Sequence, residues 1–131
     1  MRALDTNVLV RALVQDDAAQ SRRAEACLAA QQVFIPVTVI LELEWVLRSR
    51  YGYSSRSIAD ALERLAILEN AVVGEQAAVV AAAGKMRQGW DFADALHHAL
   101  AAGCDDFATF DTKLSRRAGR DNSTAPRVVA I

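Results

Sequence analysis

The chain of 131 residues is poor in several features that would place it in a special class. Its two cysteines, Cys27 and Cys104, are too few for the disulfide framework on which small secreted domains depend. Both lie in alanine-rich helical stretches and are expected to be buried free thiols in a reducing, cytoplasmic setting. Only two prolines, Pro36 and Pro126, punctuate the chain at turns, and no repeat, low-complexity segment or Pro/Ser-rich linker divides it. No apolar run approaches the roughly 20 residues that cross a bilayer. Asp5 interrupts the N-terminal apolar stretch, so no signal peptide is expected. Neither charge sign dominates, with 15 basic against 16 acidic side chains. That balance excludes binding to nucleic acid or anionic membrane by bulk electrostatics and makes any nucleic-acid contact a local matter.

What is present is an ordinary globular composition, 53% hydrophobic and 24% charged, which excludes general disorder. A chain of this length buries about two-thirds of its unfolded surface, so one domain over residues 1–131 is expected to fold without a metal or disulfide staple. Met1–Leu4 is mostly apolar, stops at Asp5-Thr6-Asn7, and gives way to Val8, Leu9, Ala12 and Leu13 at helical spacing: strand, turn, helix. Asp16-Asp17 opens a second helix through Ala24 and Leu28, and Val33-Phe34-Ile35 is a strand stopped by Pro36. Val37–Arg50 reads as a helix that closes on Tyr51-Gly52, where glycine suits a left-handed cap. Ser54 or Ser55 caps the next helix, whose Ile58, Leu62 and Leu65 form an apolar stripe. Ala71-Val72-Val73 is a minor strand, and helices follow over Glu75–Gln88, ending at Gly89, and Asp91–Ala102, ending at Gly103. Phe107–Phe110 and Val128–Ile131 are the last strands. Strands alternating with helices predict a parallel α/β sheet with right-handed crossovers.

Ligands of open α/β sheets bind beyond the carboxyl ends of the strands, and two of these strands end directly in an aspartate, Asp5 and Asp111. If the two strands are neighbours, both acids enter one crevice. Each acid also has a plainer reading: Asp5 and Asp91 as helix caps, Asp94 as a capping-box acid. Glu42 sits within Val39-Ile40-Leu41-Glu42-Leu43 and shares a helix face with Thr38, Trp45 and Val46. A carboxylate on an apolar face requires a cation. Glu44, two positions on, points away and is read as the solvated acid. Asp94 lies among Phe92, Ala93, Ala95 and Leu96. Four carboxylates on separate elements converge only around positive charge. A hard divalent ion, Mg²⁺ or Mn²⁺, takes oxygen ligands, and two such ions about 4 Å apart serve phosphodiester cleavage.

In order and spacing, Leu4-Asp5-Thr6-Asn7-Val8-Leu9, Leu41-Glu42-Leu43-Glu44-Trp45-Val46-Leu47, Asp91-Phe92-Ala93-Asp94-Ala95-Leu96 and Thr109-Phe110-Asp111 resemble the PIN-domain ribonucleases, and within them the VapC-type toxins of toxin–antitoxin pairs. The resemblance covers essentially the whole chain. It implies an α/β/α sandwich with a central parallel sheet and a Mg²⁺- or Mn²⁺-dependent endoribonuclease that cleaves by in-line attack of a metal-activated water, with no protein nucleophile. It implies Asp5, Glu42, Asp94 and Asp111 as the catalytic, metal-binding acids, with Thr6, Asn7 and Thr109 supporting them. Asp91 is left as either an outer-sphere ligand or a helix cap. Glu44 stands where relatives often carry an apolar residue. The resemblance further implies an RNA substrate, a separate antitoxin that lays a basic side chain among the acids, and a homodimer, with the helical hairpin of Val37–Leu68 serving dimerisation or antitoxin docking.

Arg116, Arg117 and Arg120 form the densest basic segment, and with Arg11 they are the expected phosphate contacts. His97 and His98 are read as structural, and neither cysteine has a base that would make it a nucleophile. Two other readings stay open. An aspartyl phosphatase also places its nucleophile after the first strand, but it wants an acid two residues later, where this chain has Asn7. A non-catalytic module that keeps the fold is the other.

Overall fold

A computed structural model describes residues 1–121 and 125–131. The elements run β1 (Arg2–Ala3), α1 (Thr6–Val14), α2 (Ala18–Ala30), β2 (Val33–Ile35), α3 (Val37–Ser49), α4 (Ser55–Ile67), β3 (Ala71–Val73), α5 (Gln76–Arg87), α6 (Phe92–Leu100), β4 (Asp106–Thr109), α7 (Thr112–Gly119) and β5 (Arg127–Ala130). Their termini follow from local chemistry. Asp5, Asp17, Ser54, Asp91 and Asp111 each accept a hydrogen bond from a first-turn backbone N–H of α1, α2, α4, α6 and α7 respectively, satisfying donors that have no partner within the helix. Gly89 ends α5 with φ +98°, a conformation that costs a residue with a Cβ but not glycine. α6 stops at Leu100, short of the expected Ala102.

Every described strand pair is parallel, as the alternation of strands and helices predicts. β1, β2 and β3 form one ladder in that order and β4 with β5 a second. The expected single sheet is therefore divided among the described residues, and β1 does not pair with β4. The cause lies in the strands themselves. β1 is two residues long and exposed, and β4 alternates between exposed and half-buried, so neither presents a long apolar edge that would lock the two ladders in register.

The core gathers on the first ladder and its helices. Val33 and Ile35 of β2 are fully buried with Leu9 of α1, Ile40, Leu43 and Leu47 of α3, Ile58 of α4 and Val79 of α5. A side chain of this size contributes about 1.5–3 kcal/mol when fully buried. In α3 the buried positions are Ile40, Leu43, Glu44 and Leu47, spaced 3, 4 and 7 from the first as a helix face requires. That phase corrects the sequence expectation. Glu44 is the buried acid, 2% exposed, and Glu42 faces outward beside the half-exposed Trp45. Arg48, one turn on, donates to Glu44 through Nε at 2.9 Å and Nη2 at 3.3 Å, the forked geometry that compensates a desolvated carboxylate. The cysteines are free, but Cys27 is only half-buried and Cys104 is exposed in the turn after α6, so burial was wrongly expected. Among the described residues, no helix is long and apolar enough to cross a membrane.

Candidate active site

The aspartates that follow strands owe their position to the helices they cap. Asp111 Oδ1 accepts from Lys113 N at 2.9 Å and Leu114 N at 3.1 Å, while Thr109 Oγ1 accepts from Asp111 N at 2.9 Å. Thr109 thus fixes the backbone that carries Asp111. Two N–H donors at the start of α7 hold the carboxylate in one orientation. Asp91 Oδ1 accepts from Asp94 N at 3.0 Å, and Asp5 Oδ1 from Thr6 N at 2.8 Å. Capping and site placement are therefore compatible: a capped carboxylate keeps one oxygen directed away from the helix.

Asp91, Asp94 and Asp111 meet. Together with Gly89, Trp90, Leu114 and Arg117 they line a cavity of about 190 Å³. Asp94 stands one turn into α6, and its carboxyl is held above the usual range first by burial, then by the charges of Asp91 and Asp111, with His97 opposing. Like charges facing one partly dry site disfavour ionisation, and such perturbation in a cleft is a mark of functional sites. Asp5 and Glu42 are not brought into this cavity. Asp5 is exposed at the head of α1, with Thr6 buried behind it. Glu42 lines a separate cavity of about 440 Å³ with Thr38, Leu41, Glu44, Trp45, Arg48 and Ala93. Asn7 and Arg11 border a third, of about 380 Å³, between α1 and α2. Arg11 is paired with Asp16 at 2.7 Å, which raises the Arg11 pKa and lowers that of Asp16. A short-range acidic partner therefore occupies the arginine that was expected to meet phosphate. Arg117 reaches the acidic cavity, whereas Arg116 does not line it.

His98 is structural, as its sequence setting predicts. It is 2% exposed, its Nε2 lies 2.7 Å from Pro126 O, and its ring meets Phe107 edge-on and Trp90 at a tilt. It ties α6 to the strand after α7. Sequence reasoning missed Gly89, Trp90 and Leu114 as walls of the cavity. The helix-ending glycine directly before Trp90-Asp91 was the available signal.

The donor set suits a divalent ion in kind. Mg²⁺ takes hard oxygen ligands and is held by as few as one or two carboxylates with water completing its shell, and Asp94 with Asp91 or Asp111 supplies such donors. Among the described residues no cluster of three or more His, Cys, Asp or Glu side chains is arranged to hold an ion by itself. Comparisons with curated proteins and with solved structures give no match to this chain. The PIN domain model, in contrast, matches residues 2–120. That span contains all the acids described above, and the chain belongs to the PIN domain family.

Proposed function

We propose that this PIN domain, a single unit over residues 1–131, is a Mg²⁺- or Mn²⁺-dependent endoribonuclease and the toxin of a toxin–antitoxin pair, acting in the cytoplasm as a homodimer. The observation that carries the reading is the convergence of Asp91, Asp94 and Asp111 on one cavity, with Asp94 driven toward its neutral form first by burial and then by the other two. Family membership supports it. Asp5, Glu42, Asp94 and Asp111 are the proposed acids, Thr6, Asn7 and Thr109 their supports, and a cognate antitoxin the proposed partner that covers them.

A bound divalent ion would supply activation of water and charge stabilisation at the phosphodiester. The chain's own residues supply the frame. Thr109 and the N-terminus of α7 fix Asp111, the Asp94 N–H fixes Asp91, and the buried walls Trp90 and Leu114 narrow the space open to bulk water. Asp94 gains from a cation in the cavity, because burial and then its neighbours oppose its ionised form. Its support against the site is rigid: Phe92, Ala95 and Leu96 on the same helix are buried.

The test is cleavage of total RNA by protein free of antitoxin, with Mg²⁺, with Mn²⁺ and with chelator, for wild type, Asp94→Asn and Asp5→Asn. Metal-dependent fragments lost in both variants are expected. Because Asp5 and Glu42 do not line the cavity, the rival reading is a PIN-fold binding module without catalysis. That rival takes the lead if wild type and both variants are equally inactive and wild type fails to bind Mn²⁺.

A further inference from the structure

The acidic cavity does not end at Arg117. A second cavity, about 230 Å³ and lined by Gln88, Trp90, Arg117, Arg120 and Asp121, shares Trp90 and Arg117 with the first. The common wall is made by α7. Leu114 is buried and faces the core. Arg117 follows it by three residues on α7 and lines both cavities, Arg120 caps the helix just beyond Gly119 and lines the second, and Arg116 lines neither.

The Arg117 side chain is placed with some care by the chain around it. Its guanidinium lies across the backbone of Gly89, where a Cβ would stand 3.0 Å from Nη1. Among the described residues, neither Arg117 nor Arg120 has an ion-pair partner within 4.0 Å. The acids therefore leave the guanidinium of Arg117 unneutralised, although it borders their cavity. Asp121, the acid of the second cavity, is paired with Lys85 at 2.7 Å, and Lys85 is itself held 4.7 Å from the Trp90 ring centroid. Two arginines with unspent charge thus sit beside one acid that already has a cation. The second cavity is a basic step directly next to an acidic one.

We propose that this step is the phosphate subsite of the nucleic-acid strand: Arg117 and Arg120 bind the phosphate adjoining the one that enters the acidic cavity, and they set where the strand lies relative to Asp94 and Asp111. Arginine is suited to this by its planar fork of donors, which matches phosphate oxygens two at a time. Base identity is not read there, because phosphate contacts fix register and carry no sequence information. The inference rests on the nuclease reading for its substrate, and it makes Arg117 a positioning residue.

The test uses the full chain in chelator, where no cleavage occurs, and a 5′-labelled single-stranded RNA oligonucleotide followed by fluorescence anisotropy over a range of salt. Arg117→Ala is expected to weaken binding about tenfold and to reduce the salt slope by about 1, as the loss of one phosphate contact requires. Arg120→Ala should act in the same direction, Arg117→Lys should recover part of the loss, and Arg22→Ala, an exposed arginine on α2, should change neither quantity. Circular dichroism melting checks that each variant is folded. In Mn²⁺, Arg117→Ala should raise KM with kcat held. Equal losses for Arg22→Ala and Arg117→Ala overturn the subsite in favour of diffuse charge, and so does wild-type affinity in a folded Arg117→Ala. The two readings fail separately. Arg117-dependent binding without any cleavage by wild type defeats the nuclease and leaves the subsite standing, whereas cleavage that is indifferent to Arg117 and Arg120 defeats the subsite alone.

Discussion

The two halves of this fold hold themselves together differently. In the first, β1–β3 lie under helices whose inward residues are closed to water, with Val33, Ile35, Ile40 and Leu43 at 0% exposure. In the second, β4 and β5 are at best half-buried, and Phe110 and Ile131 at their ends are 82% and 71% exposed. Leu114 and Ala118 of α7 are the buried contributions of that half. Discrete polar ties supplement them: His98 to Pro126 O, Lys85 to Asp121, and the caps around Asp111. The candidate site lies across the join. Asp91 and Asp94 come from the first half and Asp111 from the second, so the geometry of the acids depends on how firmly the weaker half is fastened. A core made by area is robust and unspecific; a seam made by a few directional contacts can be opened by one of them.

The contrast is broken first in the core. Ile40→Ala should cost about 2–5 kcal/mol, against about 1 kcal/mol or less for Val128→Ala in β5, where the side chain is already partly wet. Urea unfolding at neutral pH compares them, and equal losses would mean that the second half carries the same packing load as the first. The seam comes next. His98→Ala leaves Pro126 O without its partner in a buried position and should cost about 1–3 kcal/mol. The loss should appear in hydrogen exchange as faster β4 and β5 amides with β1–β3 still protected. Uniform acceleration of all five strands would show that the two halves open as one.

The same division explains what could be read before folding. The caps at Asp5, Asp17, Ser54 and Asp91 were legible because capping is a contact within three residues, and so were α1 to α6 and their order, whereas α7 and its cap Asp111 were not expected in so arginine-rich a segment. The partner of β1 was not: whether β4 lies beside it depends on edges too short and too polar to encode a register. The phase of α3 was also hidden. Val37, Val39, Ile40, Leu41, Leu43, Trp45, Val46 and Leu47 surround the helix with apolar side chains, so the pattern left the buried face undetermined, and Glu42 rather than Glu44 was assigned to it. Only packing against the neighbouring helices chooses between them. The ion pair of Arg11 was hidden for the opposite reason: its partner Asp16 is near in sequence, but the turn at Gln15, with φ 58°, is what returns it to the arginine. Of the site, Asp91 and Asp94 were legible as acids at a helix start and Asp111 as the acid that ends a strand, while Gly89, Trp90 and Leu114 became part of it through tertiary contact alone.

Glu42 and Glu44 sharpen the comparison within one helix, since one is exposed and the other is buried and paired with Arg48. Glu44→Gln should cost about 1–2 kcal/mol, a figure reduced from that of a fully buried pair because Arg48 is half in water. Glu42→Gln should change stability by less than about 0.5 kcal/mol, as exposed positions do, while removing the proposed cleavage. Melting curves and RNA cleavage on the two variants settle the assignment; a Glu42→Gln protein with full activity would remove Glu42 from the quartet.

The smallest effect concerns Asp94 alone. Its folded pKa is raised above the unfolded value, first by burial and then by Asp91 and Asp111. Ionisation is therefore opposed in the folded state. The resulting destabilisation is fully present above the folded pKa, shrinks as pH falls through it, and is gone below the ordinary aspartate value. In protein without metal, Asp94→Asn should match or slightly exceed wild type at neutral pH, by less than about 1 kcal/mol because the group is partly exposed and screened. The advantage should fade as the buffer is taken down through the folded pKa toward the ordinary aspartate value. Adding Mn²⁺ should reverse the order at neutral pH, since an ion that binds only the folded wild type stabilises it by mass action. Melting temperatures across pH, with and without Mn²⁺, test the whole chain of argument. An Asp94→Asn protein less stable than wild type at neutral pH without metal would show that this carboxylate serves the helix and not the site.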